Sequence, residues 1–337
     1  MINILKNVAL APYTTFKIGG NAGFFVEVGS KNELEEAIEF AGNNNLAVFT
    51  LGGGSNILIS DKGYNGLVIK MNISGINSAD SPAGWHIQAG AGEAWDDVVA
   101  YAVGLNAGGI ENLSLIPGTV GGAVYQNIGA YGAEIKDILV SVKAYDIQTG
   151  NIVELLNEEC GFEYRHSVFK YNKNLIIVEA DFLLSKENKP NLSYPDLQKQ
   201  FIGAEPKISE IRRAVIDIRL NKIPYPPLYA NAGSFFKNPL VPINNFKDLL
   251  RNYPHLNGRE PRNGYIKLSA AQLIEKAGLK GKRAGDVGVS DKHALVLVNY
   301  GNGLAKNINE LEAVIKEAVE TKFGIKLETE VEKIICG

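Results

Sequence analysis

The chain has 337 residues, more than one ordinary hydrophobic core supports, so we expect two or three domains. The formal net charge is −3 and no long run of one sign occurs. This excludes a broad nucleic-acid-binding face, which needs clustered lysine and arginine. No apolar stretch approaches the ~18–20 residues that span a bilayer, and the N-terminus lacks the features of a signal peptide. We predict a cytoplasmic protein without membrane or nucleic-acid partners.

The first part of the chain predicts alternating strands and helices. Residues 23–28 form an apolar, aromatic run typical of a strand, and residues 46–51 form the next one. Between them, Ser30 followed by Glu33 is a capping box, which predicts the start of a helix that ends at residues 43–45. A glycine turn follows the second strand directly.

Residues 66 to about 184 predict a strand-rich region with short helices. Gly150, between two of the strands, is typical of a hairpin turn. The predicted elements are strands at 67–69, 85–91, 140–147, 152–156 and 176–184 and a helix at 95–101.

A polar, proline-interrupted segment at residues 186–191 marks a predicted boundary. Beyond it, apolar spacing predicts three helices, and Gly278 and Gly324 end the last two. Asn307 with Glu310 predicts the cap of the third helix. The predicted elements are helices at 208–218, 268–277 and 307–323 and strands at 294–299 and 325–335.

The two cysteines, Cys160 and Cys336, stand at no spacing typical of metal ligands or of a disulfide framework. We therefore predict ordinary thiols in a reducing compartment and no metal site. His166 is one of four histidines, and none of the others lies at ligand spacing from it, so we interpret it as non-catalytic.

Two glycine-rich segments are candidates for holding a phosphate-bearing ligand. In Leu-Gly-Gly-Gly-Ser-Asn-Ile-Leu at residues 51–58, backbone N–H groups can reach a diphosphate because no Cβ intervenes. The segment is not a Walker loop, because no Gly-Lys-Ser/Thr follows, and not the dinucleotide fingerprint, because a strand follows. The second segment covers residues 116–132. Together they suggest two backbone walls around one extended ligand, with tight turns at sheet corners as the structural alternative.

Three polar side chains far apart in sequence provide a guanidinium, a hydroxyl and a carboxylate: Arg165, Ser234 and Glu330. A guanidinium suits a carboxylate clamp, although the pattern also fits a surface arginine. Ser234 is a weak acid that could protonate only a strongly basic carbon, and it could equally cap a turn. Alternation alone places Glu330 on a solvent-facing side with Glu328 and Glu332.

Two further pairs of polar residues are candidates for phosphate contacts. Arg219 and Lys222 are three positions apart at a helix end, so both can point toward a diphosphate, or both can be solvated. Lys237 and Asn238 follow Ser234 within one turn.

Taken in order, these motifs resemble the UDP-N-acetylenolpyruvoylglucosamine reductase family, flavoenzymes of peptidoglycan precursor synthesis. The resemblance extends from Thr14 to Val331. One departure is Lys276, where the family often carries an amide. The most specific motifs are Gly-Gly-Gly-Ser-Asn at 52–56, Ile-Pro-Gly at 116–118, Gln-Asn-Ile-Gly-Ala-Tyr-Gly at 126–132, Tyr-Arg-His-Ser at 164–167 and Asn-Ala-Gly-Ser-Phe-Phe-Lys-Asn-Pro at 231–239.

The resemblance implies an α+β fold: an FAD-binding fold of the vanillyl-alcohol-oxidase type in two α/β subdomains, plus a separate α+β substrate-binding domain. It assigns residues 1–70 and 71–205 to the two FAD-binding subdomains and 206–324 to the substrate domain. Residues 325–337 are expected to return to the FAD-binding part as a strand.

The resemblance also implies non-covalent FAD, with NADPH as hydride donor, and catalytic roles for Arg165, Ser234 and Glu330. Tyr194 matches the mobile tyrosine of the family's longer class, whose loop is implied to cover the UDP-sugar. The implied FAD contacts are Gly53, Gly54, Ser55, Asn56, Ile57, Leu58, Ile116, Pro117, Gly118, Thr119, Gly121, Gly122, Gln126, Asn127, Gly129 and Ala130. The implied substrate contacts are Tyr164, Tyr194, Arg219, Lys222, Lys237 and Asn238.

The implied reaction is the NADPH-dependent, FAD-mediated reduction of UDP-N-acetylglucosamine enolpyruvate to UDP-N-acetylmuramate by a monomer. Arg165 would stabilise the enolate that forms, Ser234 would protonate its carbon, and Glu330 would orient Arg165 or the substrate carboxylate. Two alternatives stay open: a different flavin oxidoreductase on the same fold, and a UDP-sugar-binding protein without turnover.

Overall fold

A computed structural model describes residues 2–187 and 189–335 of the chain. Cys336 therefore lies outside the described residues, whereas Cys160 is a buried free thiol. Burial raises the pKa of Cys160 to about 12, so this thiol stays protonated and fits the prediction of an ordinary cysteine.

The first part of the fold is a four-stranded sheet in the order β1-β2-β5-β3, in which β2, β5 and β3 are parallel and β1 is antiparallel to β2. Its helix begins as predicted, because the Ser30 hydroxyl accepts the backbone N–H of Glu33. The apolar face of that helix is buried in a core shared with β2 and β5. The elements are β1 (Leu5–Ala9), β2 (Asn21–Val28), α1 (Lys31–Asn43), β3 (Val48–Leu51), β4 (Ile57–Ile59) and β5 (Tyr64–Met71).

The second part is an antiparallel sheet in the order β11-β10-β12-β7-β6. The helices α2 and α3 pack against it, and Trp95 is wholly buried with its indole N–H donating to the Leu113 carbonyl. The elements are β6 (Ile76–Ser81), β7 (Gly84–Gly90), α2 (Trp95–Gly104), α3 (Val120–Gln126), β8 (Gly129–Ala130), β9 (Ala133–Glu134), β10 (Leu139–Asp146), β11 (Asn151–Leu156) and β12 (Leu175–Leu184). The predicted helix at 95–101 and the predicted hairpin are confirmed.

Two helices, α4 (Pro195–Gln200) and α5 (Ile208–Lys222), form a small apolar cluster of their own with Leu197, Ile211 and Val215 at its centre. Arg212 of α5 donates two hydrogen bonds to the Asp96 carboxylate of α2, at 2.7 and 2.9 Å. This bidentate pair, one of the stronger kinds of ion pair, fixes α5 against the second part.

The third part is built around the antiparallel sheet β13-β19-β18-β17, with a small sheet β14-β16-β15 beside it. The helices α7 and α8 cover the first of these sheets and share its core. The elements are β13 (Ala230–Ser234), β14 (Leu240–Pro242), α6 (Ile243–Asn252), β15 (Gly258–Arg262), β16 (Tyr265–Leu268), α7 (Ala270–Lys276), β17 (Arg283–Ala284), β18 (Val287–Val289), β19 (Val296–Asn299), α8 (Ala305–Phe323) and β20 (Glu332–Ile334).

Two sequence predictions in this part are wrong. The last helix starts at Ala305 and not at Asn307, because Asn307 occupies its third position, where the side-chain oxygen accepts the backbone N–H of Leu304. The predicted strand at 325–335 is a strand only over Glu332–Ile334. Of the preceding residues, only 328–330 pair with residues 235–237, and they form no continuous strand.

Hydrogen bonds join the first part of the fold to the third part. The Thr15 hydroxyl donates to the Asn231 carbonyl at 2.7 Å. The Asp61 carboxylate accepts the backbone N–H groups of Ala305 and Lys306, at 2.7 and 2.9 Å, and so caps the N-terminus of α8. At the other end of the chain, β20 pairs in parallel with β4. The division at residues 70, 205 and 324 stays a prediction.

Over the described residues, none of the helices combines the length and the apolar character needed to cross a membrane.

Candidate active site

A cavity of about 450 Å³ lies where the first part meets α3, β12 and β20. The two glycine-rich segments both line it, and apolar side chains such as Phe49, Phe169 and Ile177 form its walls. The cavity wall is therefore partly exposed backbone, at the glycines, and partly apolar side chains. The predicted FAD contacts that line it are Gly53, Gly54, Ser55, Asn56, Ile57, Pro117, Gly118, Thr119, Gly121, Gly122 and Gln126.

The glycine segments touch each other where they enter the cavity. A Cβ at Gly53 would lie 2.6 Å from the Cα of Gly118, which is closer than real side chains approach a backbone. Gly54 has φ +62°, the left-handed region that favours glycine, and a Cβ there would meet the Tyr13 carbonyl oxygen at 2.3 Å. The Ser55 hydroxyl donates to the Pro117 carbonyl at 2.9 Å. The glycines are thus needed for the segments to approach.

Two polar atoms on the cavity wall have no hydrogen-bond partner among the residues that the structure describes: Thr119 Oγ1 and Gln126 Nε2. Both are buried, and a buried polar group without a partner costs free energy. A ligand with acceptor atoms between the glycine segments would supply what they lack. The cavity is therefore suited to a ligand that has both polar and apolar groups.

Arg165 lies in a tight two-residue turn beside this cavity. Glu163 and His166 exchange backbone hydrogen bonds at 3.1 and 3.2 Å, with Tyr164 and Arg165 between them. Arg165 has φ +57°, the value that such a turn requires and that glycine normally supplies. A bulky residue in this region is a strained feature of the kind that clusters at functional sites.

The guanidinium of Arg165 is held by a carboxylate and a carbonyl. Its Nε donates to Glu330 Oε1 and its Nη2 donates to the Gly129 carbonyl, both at 2.8 Å. The side chains are 19% and 10% exposed, so the pair is mostly withdrawn from water. Burial lowers the pKa of Arg165, but Glu330, together with Tyr164 and Glu134, raises it by more, so the net shift is upward.

Ser234 is brought to the same place by a short antiparallel pairing. The backbone N–H of Glu330 donates to the Phe235 carbonyl at 2.9 Å, so Ser234 is one residue from the contact. The strand is bulged between Asn231 and Ser234, and the Ser234 side chain is half-buried. Asn56, a cavity residue, donates through its side chain to the Glu330 carbonyl at 3.3 Å. The structure therefore links Glu330 both to Arg165 and to the cavity residue Asn56, and it places Ser234 one residue from the backbone contact with Glu330.

A first group of predicted substrate contacts lies around Tyr164. Asn238 hydrogen-bonds Tyr164, and its Oδ1 accepts the backbone N–H of Ala270 at 2.9 Å. Burial raises the pKa of Tyr164, so its hydroxyl remains a donor. The ammonium of Lys267 lies 4.3 Å from the centroid of the Tyr164 ring. Lys237 approaches Glu328 at 3.4 Å.

A second group lies at the ends of α4 and α5. Tyr194 packs edge-on against Tyr131, with ring centroids 4.9 Å apart. Burial lowers the pKa of Arg219, and its nearest partners are Tyr131 and Asp96. Lys222 pairs with Asp196 at 2.7 Å. The guanidinium carbon of Arg259, on the β15–β16 hairpin, lies 5.3 Å from the centroid of the Tyr194 ring, so the two elements meet here.

Five predicted FAD contacts do not line the cavity. Leu58 belongs to the core that α7 and α8 share with the third part's sheet, and Ile116 packs against the core that contains Trp95. Asn127 is wholly buried, and its side chain donates to Glu163 and accepts from Lys136. The remaining two, Gly129 and Ala130, form β8, and the carbonyl of Gly129 serves Arg165.

Sequence reasoning missed a polar group on the cavity wall formed by Tyr125, Lys173 and Glu332. The Tyr125 hydroxyl donates to both Glu332 oxygens, at 3.0 and 2.8 Å, and accepts from Lys173 at 2.6 Å. Burial and the neighbouring carboxylate both raise the pKa of Tyr125. The one available signal was the position of Tyr125 inside the second glycine-rich segment.

Comparison with known proteins finds two family matches along the chain. Residues 22–156 match the FAD-binding domain family. Residues 225–334 match the family described as UDP-N-acetylenolpyruvoylglucosamine reductase, C-terminal domain. The fold and the site thus define an FAD-dependent oxidoreductase with an α+β fold and a separate C-terminal domain.

Individual relatives give the family. The chain is 41% identical to the UDP-N-acetylenolpyruvoylglucosamine reductase of Flavobacterium johnsoniae, covering 99% of this chain and all of that protein. It is 40% identical to the enzyme of that name from Neisseria gonorrhoeae over 95% of this chain and 94% of the relative. The crystal structure of the Thermus caldophilus reductase superposes with a TM-score of 0.69 at 26% identity, covering 99% of both chains. The chain belongs to the UDP-N-acetylenolpyruvoylglucosamine reductase family.

Proposed function

We propose that this chain catalyses the NADPH-dependent reduction of UDP-N-acetylglucosamine enolpyruvate to UDP-N-acetylmuramate. The observation that supports the proposal is the set of contacts made by Glu330, which pairs with Arg165, accepts from Asn56 of the glycine-lined cavity and bonds the backbone next to Ser234. Arg165, Ser234 and Glu330 come from three distant segments, and each supplies one group that reduction of an enolpyruvyl ether needs. Family membership supports the same reaction.

The residues of the cavity fit FAD. The glycine segments leave backbone N–H groups free of side chains for a diphosphate, and Thr119 and Gln126 have buried polar atoms to offer. Phe49, Phe169 and Ile177 provide apolar walls for the ring systems. When bound, FAD supplies hydride transfer from NADPH to the terminal alkene carbon of the substrate.

Arg165 has the role of stabilising negative charge. Addition of hydride to the alkene moves charge onto the neighbouring carbon and its carboxylate, and a guanidinium already held in place lowers the barrier without reorganisation. Glu330 orients Arg165 through Nε and compensates its buried positive charge. Hydrogen bonds to the described residues engage Nε and Nη2, and we assign the remaining guanidinium nitrogen, Nη1, to the substrate carboxylate.

Ser234 has the role of proton donor to the enolate carbon. A serine hydroxyl is a weak acid, but an enolate carbon is basic enough to accept its proton. Its half-buried position, one residue from the backbone contact between Phe235 and Glu330, supports this assignment. The lactyl ether results.

The remaining predicted contacts are assigned to the UDP-sugar. Lys222, Arg219 and Tyr194 lie at the ends of α4 and α5, and Asn238 hydrogen-bonds Tyr164, with Lys237 preceding it in the chain. Cations and phenol hydroxyls are the donors that a diphosphate accepts. The segment with Tyr194 would cover the bound nucleotide, as in the longer class of the family.

The cellular setting follows from the reactants. NADPH and nucleotide sugars are metabolites of the cytoplasm, which supports the prediction of a cytoplasmic enzyme. The monomeric state stays a prediction.

An NADPH oxidation assay tests the proposed function. We expect purified protein supplied with FAD to oxidise NADPH rapidly only when UDP-N-acetylglucosamine enolpyruvate is present, with a product heavier by one hydride and one proton. Rapid oxygen uptake without that substrate would indicate a different flavin oxidoreductase. Protein that remains colourless after addition of FAD would indicate a binding protein without turnover.

A further inference from the structure

Lys170 has no role in the proposed reduction, yet its ammonium group contacts the backbone of Arg165. Its Nζ donates a hydrogen bond to the Arg165 carbonyl at 2.9 Å. It stands 5.5 Å from the centroid of the Tyr125 ring, within cation–π distance. Lys170 thus links the turn that carries Arg165 to the wall of the cavity.

The turn that carries Arg165 needs support of this kind. With φ +57°, Arg165 occupies a conformation that costs a non-glycine residue free energy, so local propensity alone does not hold it. The next segment is anchored, because the Ser167 hydroxyl donates to the Tyr125 carbonyl at 2.7 Å and the helical turn Val168–Lys170 follows at once. Lys170 stands at the end of that anchored turn and reaches back to the strained residue.

We propose that Lys170 is a positioning residue, whose ammonium group holds the Arg165 backbone in the left-handed conformation from which the guanidinium meets Glu330 and the substrate. The inference rests on the proposed role of Arg165. In this role Lys170 acts through its hydrogen bond to the Arg165 carbonyl and not through contact with the substrate.

The charge of Lys170 gives this role a pH dependence. Burial lowers the pKa of Lys170 to about 8, and the nearby carboxylates only partly oppose that shift. Below that pH the ammonium donates a charge-assisted hydrogen bond, and above it the neutral amine donates a weaker one. Substrate reduction should therefore fall as the pH rises through about 8. The charged and titratable groups that face Lys170 are Glu330, Glu332, Lys237, Lys173, Arg165 and Tyr125.

The test follows the reoxidation of reduced flavin by the enolpyruvyl substrate in a stopped-flow instrument, between about pH 6.5 and about pH 9.5. We expect the wild-type rate to fall at the alkaline end. Lys170→Arg, which cannot lose its proton in this range, should keep its rate there. Lys170→Met should be about tenfold slower at neutral pH and independent of pH, since it lacks the charged donor at every pH. Flavin reduction by NADPH should change in none of them.

Lys70→Met is the matched control. Lys70 is also a half-buried lysine whose pKa is lowered by burial, but it lies on β5 beside Glu27. This variant should keep the wild-type alkaline fall. A Lys170→Met variant with the wild-type rate and alkaline fall would overturn the proposal. Should that variant fail to fold, a wild-type rate that stays flat to about pH 9.5 would overturn it equally.

The two proposals fail in different ways. If Arg165→Ala and Ser234→Ala reduce the substrate at the wild-type rate, the proposed site is wrong whatever Lys170 does. If these two variants lose substrate reduction while Lys170→Met does not, only the positioning role is wrong.

Discussion

Arg165 is the residue on which the proposed chemistry depends, and its backbone is in a costly conformation. A non-glycine residue with φ +57° carries roughly 1–3 kcal/mol of strain. The hydrogen bonds from Nε to Glu330 and from Nη2 to Gly129 offset part of that cost. Such strain persists only where the surroundings fix it, which indicates that the direction of this side chain matters more here than local stability.

The partnership with Glu330 can be tested by two substitutions. Glu330→Ala should slow substrate reduction by about ten- to a hundredfold, because a hydrogen bond to a charged group contributes about 1.5–3 kcal/mol. Glu330→Gln should lose less, since the amide oxygen still accepts from Nε. The measurement is the rate of flavin reoxidation by substrate.

Glu317→Gln, on the exposed side of α8, is the control and should leave that rate unchanged. If Glu330→Ala behaved like this control, orientation of Arg165 by the carboxylate would be refuted.

Glu330 also shows where a residue pattern misleads. Alternation assigns it to a solvent-facing side, yet its side chain is 10% exposed and paired. The reason is that residues 325–331 form no continuous strand, so a period of two does not apply to them. Only the family resemblance pointed to Glu330. Its partner, Arg165, is so distant in sequence that no local pattern could indicate their contact.

Among the elements, the two glycine segments are the part that the sequence predicted best. Both line one cavity, as the absence of side chains suggested. Their mutual contact was not predictable, because the approach of Gly53 to Gly118 depends on how two sheets are placed. For the same reason the predicted contacts Leu58 and Asn127 proved to be buried away from the cavity.

Substitution of Gly53 by alanine should weaken FAD binding. The new Cβ would meet the backbone of Gly118 at 2.6 Å, and backbone cannot move aside as a side chain can. Overpacking of this kind costs about 1–3 kcal/mol, so the dissociation constant for FAD should rise about ten- to a hundredfold. Titration of apoprotein with FAD, followed by flavin fluorescence, measures it.

Gly42→Ala is the matched control, because a Cβ at Gly42 in α1 has no neighbour within 4 Å and alanine favours helix. Equal affinity for FAD in the two variants would show that the contact between the glycine segments is not needed.

At the scale of the whole molecule, the chain returns to its beginning to complete the site. The last strand, β20, pairs with β4, and Asp61 caps α8. These contacts bring Glu330 beside Asn56, 274 positions earlier in the chain. A site that combines such distant segments exists only in the folded protein.

Local features of this fold could be predicted from the sequence, whereas contacts between distant segments could not. Helices with strong apolar spacing and caps, such as α1, were found nearly to the residue, because their signals are local. The return of the C-terminal segment to the FAD-binding part was expected only from the resemblance. Its pairing with β4 was not predicted, because no local pattern specifies which distant strand a short strand will join. The α+β class and the family followed from motifs rather than from physics.

The most direct measurement is a stopped-flow comparison of the two half-reactions in Ser234→Ala. Removing the hydroxyl removes the proposed proton donor and leaves the cavity residues in place, so flavin reduction by NADPH should proceed at nearly the wild-type rate. Reoxidation of that reduced flavin by the enolpyruvyl substrate should stall, at least about a hundredfold slower, within the range for a positioned acid. Reoxidation at the wild-type rate would contradict the account.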